Sequence, residues 1–180
     1  SILYEGTKED TEKIYTLCEN HLKNKSQIFV VCPFIEESEK LDIKAAENVY
    51  KQFKDKFSNY EVEILHGKIN SEEKEKIMED MHNKKIDILV STVVIEVGID
   101  IQNETLMIIE SAERFGLNQL HQLRGRVGRG DKESDCVFHV TDGKNMETIT
   151  EVGKKRLQAI VENNDGFKLS EIDLQIRGEG

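Results

Sequence analysis

The sequence predicts an α/β fold, a parallel sheet with helices on both faces. Short apolar runs rich in β-branched residues alternate with longer stretches whose apolar residues recur at helical spacing. Strands separated by segments of that length need crossovers, and such crossovers build parallel sheets covered on both sides. The only proline is Pro33 and the twelve glycines form no linker, so one continuous domain is expected over 1–145, followed by a helical extension over 146–180.

The elements follow in order. Residues 8–23 carry Ile14, Leu17, Cys18, His21 and Leu22 as a helical stripe. QIFVVC at 27–32 reads as a buried strand. Ile43, Ala46, Tyr50, Phe53 and Phe57 give a helix over 42–57, with Asp42 as its expected N-cap. YEVEIL at 60–65 reads as a strand. Ser71 opens a helix with Ile77, Met78 and Met81 on its apolar face. Strands are expected at 86–90, 105–109 and 136–140, and helices at about 117–127 and 145–163.

Length and charge narrow the function. A chain of 180 residues buries a real core without staples. Acids outnumber bases 35 to 25, a net charge of −10, which excludes a basic protein that coats DNA generically. No apolar run approaches the ~18 residues of a membrane span, and no secretory signal opens the chain. The chain starts at Ser1, which suggests a piece of something longer. Cys18, Cys32 and Cys136 are odd in number and widely spaced, as core thiols of a reducing cytoplasm would be. The histidines show no metal-ligand spacing, so no metal site is expected.

In parallel α/β sheets ligands sit beyond the carboxyl ends of the strands. Those ends lead here into PFIEES, His66-Gly67, Ser91-Thr92 and ESAERFG. A tight turn explains His66-Gly67 as well as a binding role does. Ser91 and Thr92 can offer hydroxyls and amides to a phosphate chain. Asp100 can accept from a sugar hydroxyl or orient an arginine, or it can be a turn aspartate. Between 111 and 130 stand Arg114, Arg124, Arg126 and Arg129 against the single acid Glu113. If a helix runs through this stretch, Gln122, Arg126 and Arg129 share one face. Guanidiniums on a face bared by Gly125 and Gly128 suit phosphate oxygens.

The sequence has no phosphate cradle to match these arginines. Lysine follows glycine at 67–68, 143–144 and 153–154, but never within GxxxxGK[ST]. No Asp-Glu pair follows a strand to hold Mg²⁺. Arginines suited to a triphosphate in a chain without its own P-loop point to a nucleotide held by another domain.

These residues resemble the second RecA-like lobe of superfamily-2 helicases, and within that group the RecG family of bacterial branched-DNA helicases. ILVSTVVIEVGIDI (88–101) resembles motif V, and HQLRGRVGRG (121–130) resembles motif VI. LHGKINSEEKEKIM (65–78) is similar to the segment between motifs IV and V. VVCPFIEESEKLDIKAAE (30–47) separates the RecG family from the transcription-repair coupling translocases. DGFKLSEIDLQIRGEG (165–180) resembles the start of the family's region after motif VI, which couples hydrolysis to translocation.

The resemblance implies roles. Gln122, Arg126 and Arg129 match motif VI, with Arg129 as the arginine finger at the γ-phosphate. Gly98 and Asp100 match the Gly-x-Asp of motif V on the nucleotide's sugar side. Ser91 and Thr92, with His66 and Gly67, are the expected DNA contacts. ATP and Mg²⁺ would be held mainly by a first lobe that this chain lacks. Branched or duplex DNA, that N-terminal lobe and a wedge domain of the same protein are the implied partners, in a bacterial cytoplasm. The resemblance thus implies the motor lobe of a helicase that remodels stalled forks and Holliday junctions, inactive on its own. The alternatives are a coupling-type translocase lobe and a free-standing nucleic-acid-binding module.

Overall fold

The structure is a computed structural model that describes residues 2–4, 8–33, 39–92, 105–112, 115, 120 and 135–139. Among these the elements run β1 (Ile2–Tyr4), α1 (Lys8–Lys23), β2 (Gln27–Cys32), α2 (Glu39–Lys56), β3 (Val62–Leu65), α3 (Ser71–His82), β4 (Ile88–Thr92), β5 (Thr105–Glu110) and β6 (Asp135–His139). The six strands form one sheet in the order β1-β6-β5-β2-β4-β3, with every pairing parallel.

Successive side chains of a strand point to opposite faces, so a strand covered on both sides must be apolar throughout. β2 meets this condition. Ile28 and Val30 join one core with Ile14, Cys18 and Leu22 of α1 and Ala46, Phe53 and Phe57 of α2. Phe29 and Val31 join the other, with Met81 of α3 and with Ala112, Phe115 and Leu120. Leu106 and Ile108 of β5 share the first core, and Met107 and Ile109 the second. Helices therefore cover both faces, as the alternation predicts.

The helix ends have local causes. Asn70 caps α3 by accepting from the Glu73 N–H at 2.8 Å, one residue before the serine that opens the helix. At the end of α1, Lys25 N–H donates to Leu22 O and Ser26 N–H to His21 O. At the end of α3, Lys84 N–H donates to Met81 O and Lys85 N–H to Asp80 O. Both are Schellman closures with lysine in the place glycine favours. The Gln27 amide donates to the carbonyls of Met81 at 2.7 Å and Ile86 at 2.9 Å, tying the end of α3 to β2.

The differences from expectation are local. α2 begins at Glu39, so Asp42 is a buried residue inside the helix and not its N-cap. Glu39 and Lys40 are good helix formers that the apolar stripe does not reach. β3 starts at Val62 because Tyr60 packs on Phe57, ring centroids 6.5 Å apart, and Glu61 N–H is held by Asp87. β4 starts and ends two residues later than the apolar run. β1 is an added edge strand beside β6. The helices expected at 117–127 and 145–163, and the division at 145, fall outside the described residues, apart from Leu120, which is helical.

Candidate functional site

The parallel register aligns the carboxyl ends of the strands along one edge. Leu65 stands beside Ser91, Thr92 beside Cys32, Glu110 beside His139, and His139 beside Tyr4.

Ser91 and Thr92 close β4 instead of following it, and both are buried. The strand continues past the apolar run because β2 and β3 offer backbone partners as far as Val31, Cys32 and Leu65. Ser91 Oγ donates to the carbonyl of Thr92 at 2.7 Å. Thr92 Oγ1 has no hydrogen-bond partner among the described residues. The hydroxyls expected in a loop are thus in the interior.

His66 and Gly67 form a turn between β3 and α3. His66 Nδ1 accepts from the Lys68 N–H at 3.2 Å, and its carbonyl accepts from the Ile69 N–H. The Gly67 carbonyl accepts from Lys74 Nζ at 3.5 Å. Gly98, Asp100, Gln122, Arg126 and Arg129 lie outside the described residues.

The structure brings together two residues that the sequence reading did not single out. Glu110 ends β5 and His139 ends β6. Glu110 Oε2 lies 2.9 Å from His139 Nδ1, and both residues are buried. Their only signal in the sequence is an ionisable residue at the end of each of two apolar runs, TLMII and CVFH. The Glu110 charge reaches the residues nearby. Burial, and then this charge, push the thiols of Cys18 and Cys32 above the usual range. The same two causes raise the Tyr15 phenol, with a smaller contribution from Cys18.

Beyond Glu110 the chain turns sharply, with Ser111 at φ 49°, in the left-handed region. Ala112, Phe115 and Leu120 then enter the α3-side core. Leu120 is fully buried one residue before HQLRGRVGRG, so the arginine-rich stretch starts from a packed anchor. Among the described residues no group of three His, Cys, Asp or Glu could hold a metal ion. No described helix is long and apolar enough to cross a membrane.

Known proteins share this arrangement. The family model described as "helicase conserved C-terminal domain" matches residues 11–131. The ATP-dependent DNA helicase RecG of Bacillus subtilis (strain 168) is 46% identical over 170 residues, 94% of this chain and 24% of that protein. The RecG of Aquifex aeolicus (strain VF5) is 48% identical over 179 residues, 99% of this chain and 22% of that protein. A solved structure of RecG bound to a three-way DNA junction superposes with a TM-score of 0.76 at 37% identity, over 99% of this chain and 22% of that one. The chain thus spans about a quarter of the length of the curated relatives it matches.

Proposed function

The chain belongs to the family of helicase conserved C-terminal domains, and from that premise we propose that it is the second motor lobe of an ATP-dependent helicase that remodels branched DNA. The observation that carries this reading is the likeness to the junction-bound RecG structure over 99% of the chain. The relatives described above are RecG helicases, which favours this reading over a coupling-type translocase.

Residues 1–145 form the lobe, and 146–180 begin the region that passes hydrolysis on to movement. The missing N-terminal lobe holds ATP and Mg²⁺, and a wedge domain of the same protein meets the junction. The described residues bring together no acids to hold the metal, which fits its being held elsewhere. When bound, ATP and Mg²⁺ supply the γ-phosphoryl group and neutralise part of its charge.

This chain's residues then have separate tasks. Arg126 and Arg129, with Gln122 beside them, face the γ-phosphate when the lobes close. Gly98 and Asp100 meet the sugar side of the nucleotide. Ser91 and Thr92 fix the start of the segment that leads to them, and that segment meets the DNA backbone. The His66-Gly67 turn lies at the same sheet edge and adds a backbone contact. The protein acts in the bacterial cytoplasm.

The test compares the full-length protein with the isolated chain. The full-length protein is expected to hydrolyse ATP faster with a three-way junction than without DNA, and to separate the junction's strands. The isolated chain is expected to turn over no ATP above background. Turnover by the isolated chain, or a full-length protein indifferent to branched DNA, would contradict the proposal.

A further inference from the structure

Glu110 and His139 are the last register pair of β5 and β6. Their side chains meet at 2.9 Å in the interior. A carboxylate so placed accepts from the imidazole N–H and fixes the ring's tautomer and angle. Burying such a group is costly unless it is paired, and an apolar pair would hold two strands at least as well. The backbone ladder already joins β5 to β6, so strand pairing does not account for an ionisable pair at its end.

Connectivity does. The chain leaves β5 at Glu110 and returns to β6 at Asp135. The intervening residues include Arg114, Arg124, Arg126 and Arg129. Ser111 turns the chain away at φ 49° directly after Glu110. We propose that the Glu110–His139 pair is a positioning element for this arginine-bearing segment, holding together the two strand ends from which it departs and to which it returns. The inference rests on the proposed role of Arg126 and Arg129 at a γ-phosphate.

Neither partner touches the nucleotide; both act through the backbone that they anchor. Guanidiniums that must meet phosphate oxygens in one geometry tolerate little displacement, and an error of about 1 Å costs about 10²-fold in rate. The pair holds the α1-side face of this base, while Ala112 and Leu120 hold the α3-side face. Tyr15 and Cys18 of α1 and Cys32 of β2 surround the carboxylate and stay neutral. The hydrogen bond to His139 is therefore the link that orients it.

The test is DNA-stimulated ATPase of the full-length protein at saturating junction DNA. Five variants are compared: Glu110→Ala, His139→Ala, their double variant, Glu110→Gln, and the apolar pair Glu110→Leu with His139→Leu. Each alanine variant is expected to lower kcat by about tenfold or more, with KM for ATP within about twofold of wild type. The double variant should be no worse than either single, because both break one link. Glu110→Gln should recover most of the loss, because an amide can still bond the ring nitrogen. The apolar pair should fold, since both polar groups leave together, and yet remain slow. It decides the matter where an alanine variant does not fold.

An apolar pair with wild-type kcat would overturn the inference. So would losses that add in the double variant, or a KM that rises in step with the fall in kcat. A wild type without DNA-stimulated ATPase would overturn the helicase reading, and this inference with it.

Discussion

Thr92 closes β4 in register with Cys32, which closes β2, and both side chains are buried. A hydroxyl thus sits at the ligand-facing edge of the sheet without a hydrogen-bond partner among the described residues. A buried polar group left unpaired costs about 1–3 kcal/mol. Thr92→Val keeps the shape and removes the hydroxyl. It is expected to leave the stability of the chain unchanged or raise it by about 1 kcal/mol, measured as the urea midpoint. Ser91→Ala, which removes a made hydrogen bond, should lower it by about 1 kcal/mol. A marked loss of stability in Thr92→Val would show that its hydroxyl has a partner in the folded chain.

The two Schellman closures give an engineering prediction. Lys25 and Lys84 stand at φ 62° and 60°, where a side chain crowds the following carbonyl. Glycine removes that crowding but adds freedom to the unfolded chain. The balance should favour Lys25→Gly and Lys84→Gly by about 0.5–1 kcal/mol each, and by their sum in the double variant. Urea midpoints that do not rise would count against the left-handed assignment.

The buried thiols predict a pH dependence. The folded-state pKa of Cys18 and of Cys32 is raised above the ordinary thiol value, first by burial and then by the Glu110 charge. A raised folded pKa leaves stability fully present below the unfolded pKa, roughly 8.5, and lost as the pH climbs above it. Between the two values the unfolded chain releases both protons while the folded chain keeps them. Stability should then fall by about 2.7 kcal/mol per pH unit for two thiols. Urea titrations at about pH 8, 9 and 10 check this, and replacing both cysteines by alanine should flatten the slope. An unchanged slope would place the titration elsewhere.

Much of the fold is legible in the sequence because its period is local. The helix over 8–23 and the strand over 27–32 were readable to the residue, since each apolar stripe ends where its element ends. The ends of β4 were not, because Ser91 and Thr92 belong to the strand only through partners on β2 and β3. β1 was missed for the same reason: three residues carry no period, and β6 supplies the backbone that makes them a strand. The buried Glu110–His139 pair joins residues 29 positions apart, and only the β5–β6 register brings them together. The family resemblance was legible because its motifs are contiguous, and the helicase family model matches 11–131. The motif residues from Gly98 to Arg129 remain proposals of role.

The central claim is that this lobe supplies charge to a nucleotide bound elsewhere in the protein. In phosphoryl transfer, negative charge spreads over the γ-phosphate oxygens in the transition state. The first lobe sets ground-state affinity through its own loop, and Arg129 would arrive only on closure, so it lowers the barrier more than the dissociation constant. The direct measurement is single-turnover ATP hydrolysis, with equilibrium nucleotide binding, by full-length protein carrying Arg129→Ala at saturating junction DNA. Hydrolysis should slow by about 10³–10⁵-fold, with Kd for the nucleotide within about threefold of wild type. Arg129→Lys should fail nearly as badly, because an ammonium cannot reproduce the planar fork. Hydrolysis by Arg129→Ala within about threefold of wild type would contradict the claim for Arg129 and move the finger to Arg126.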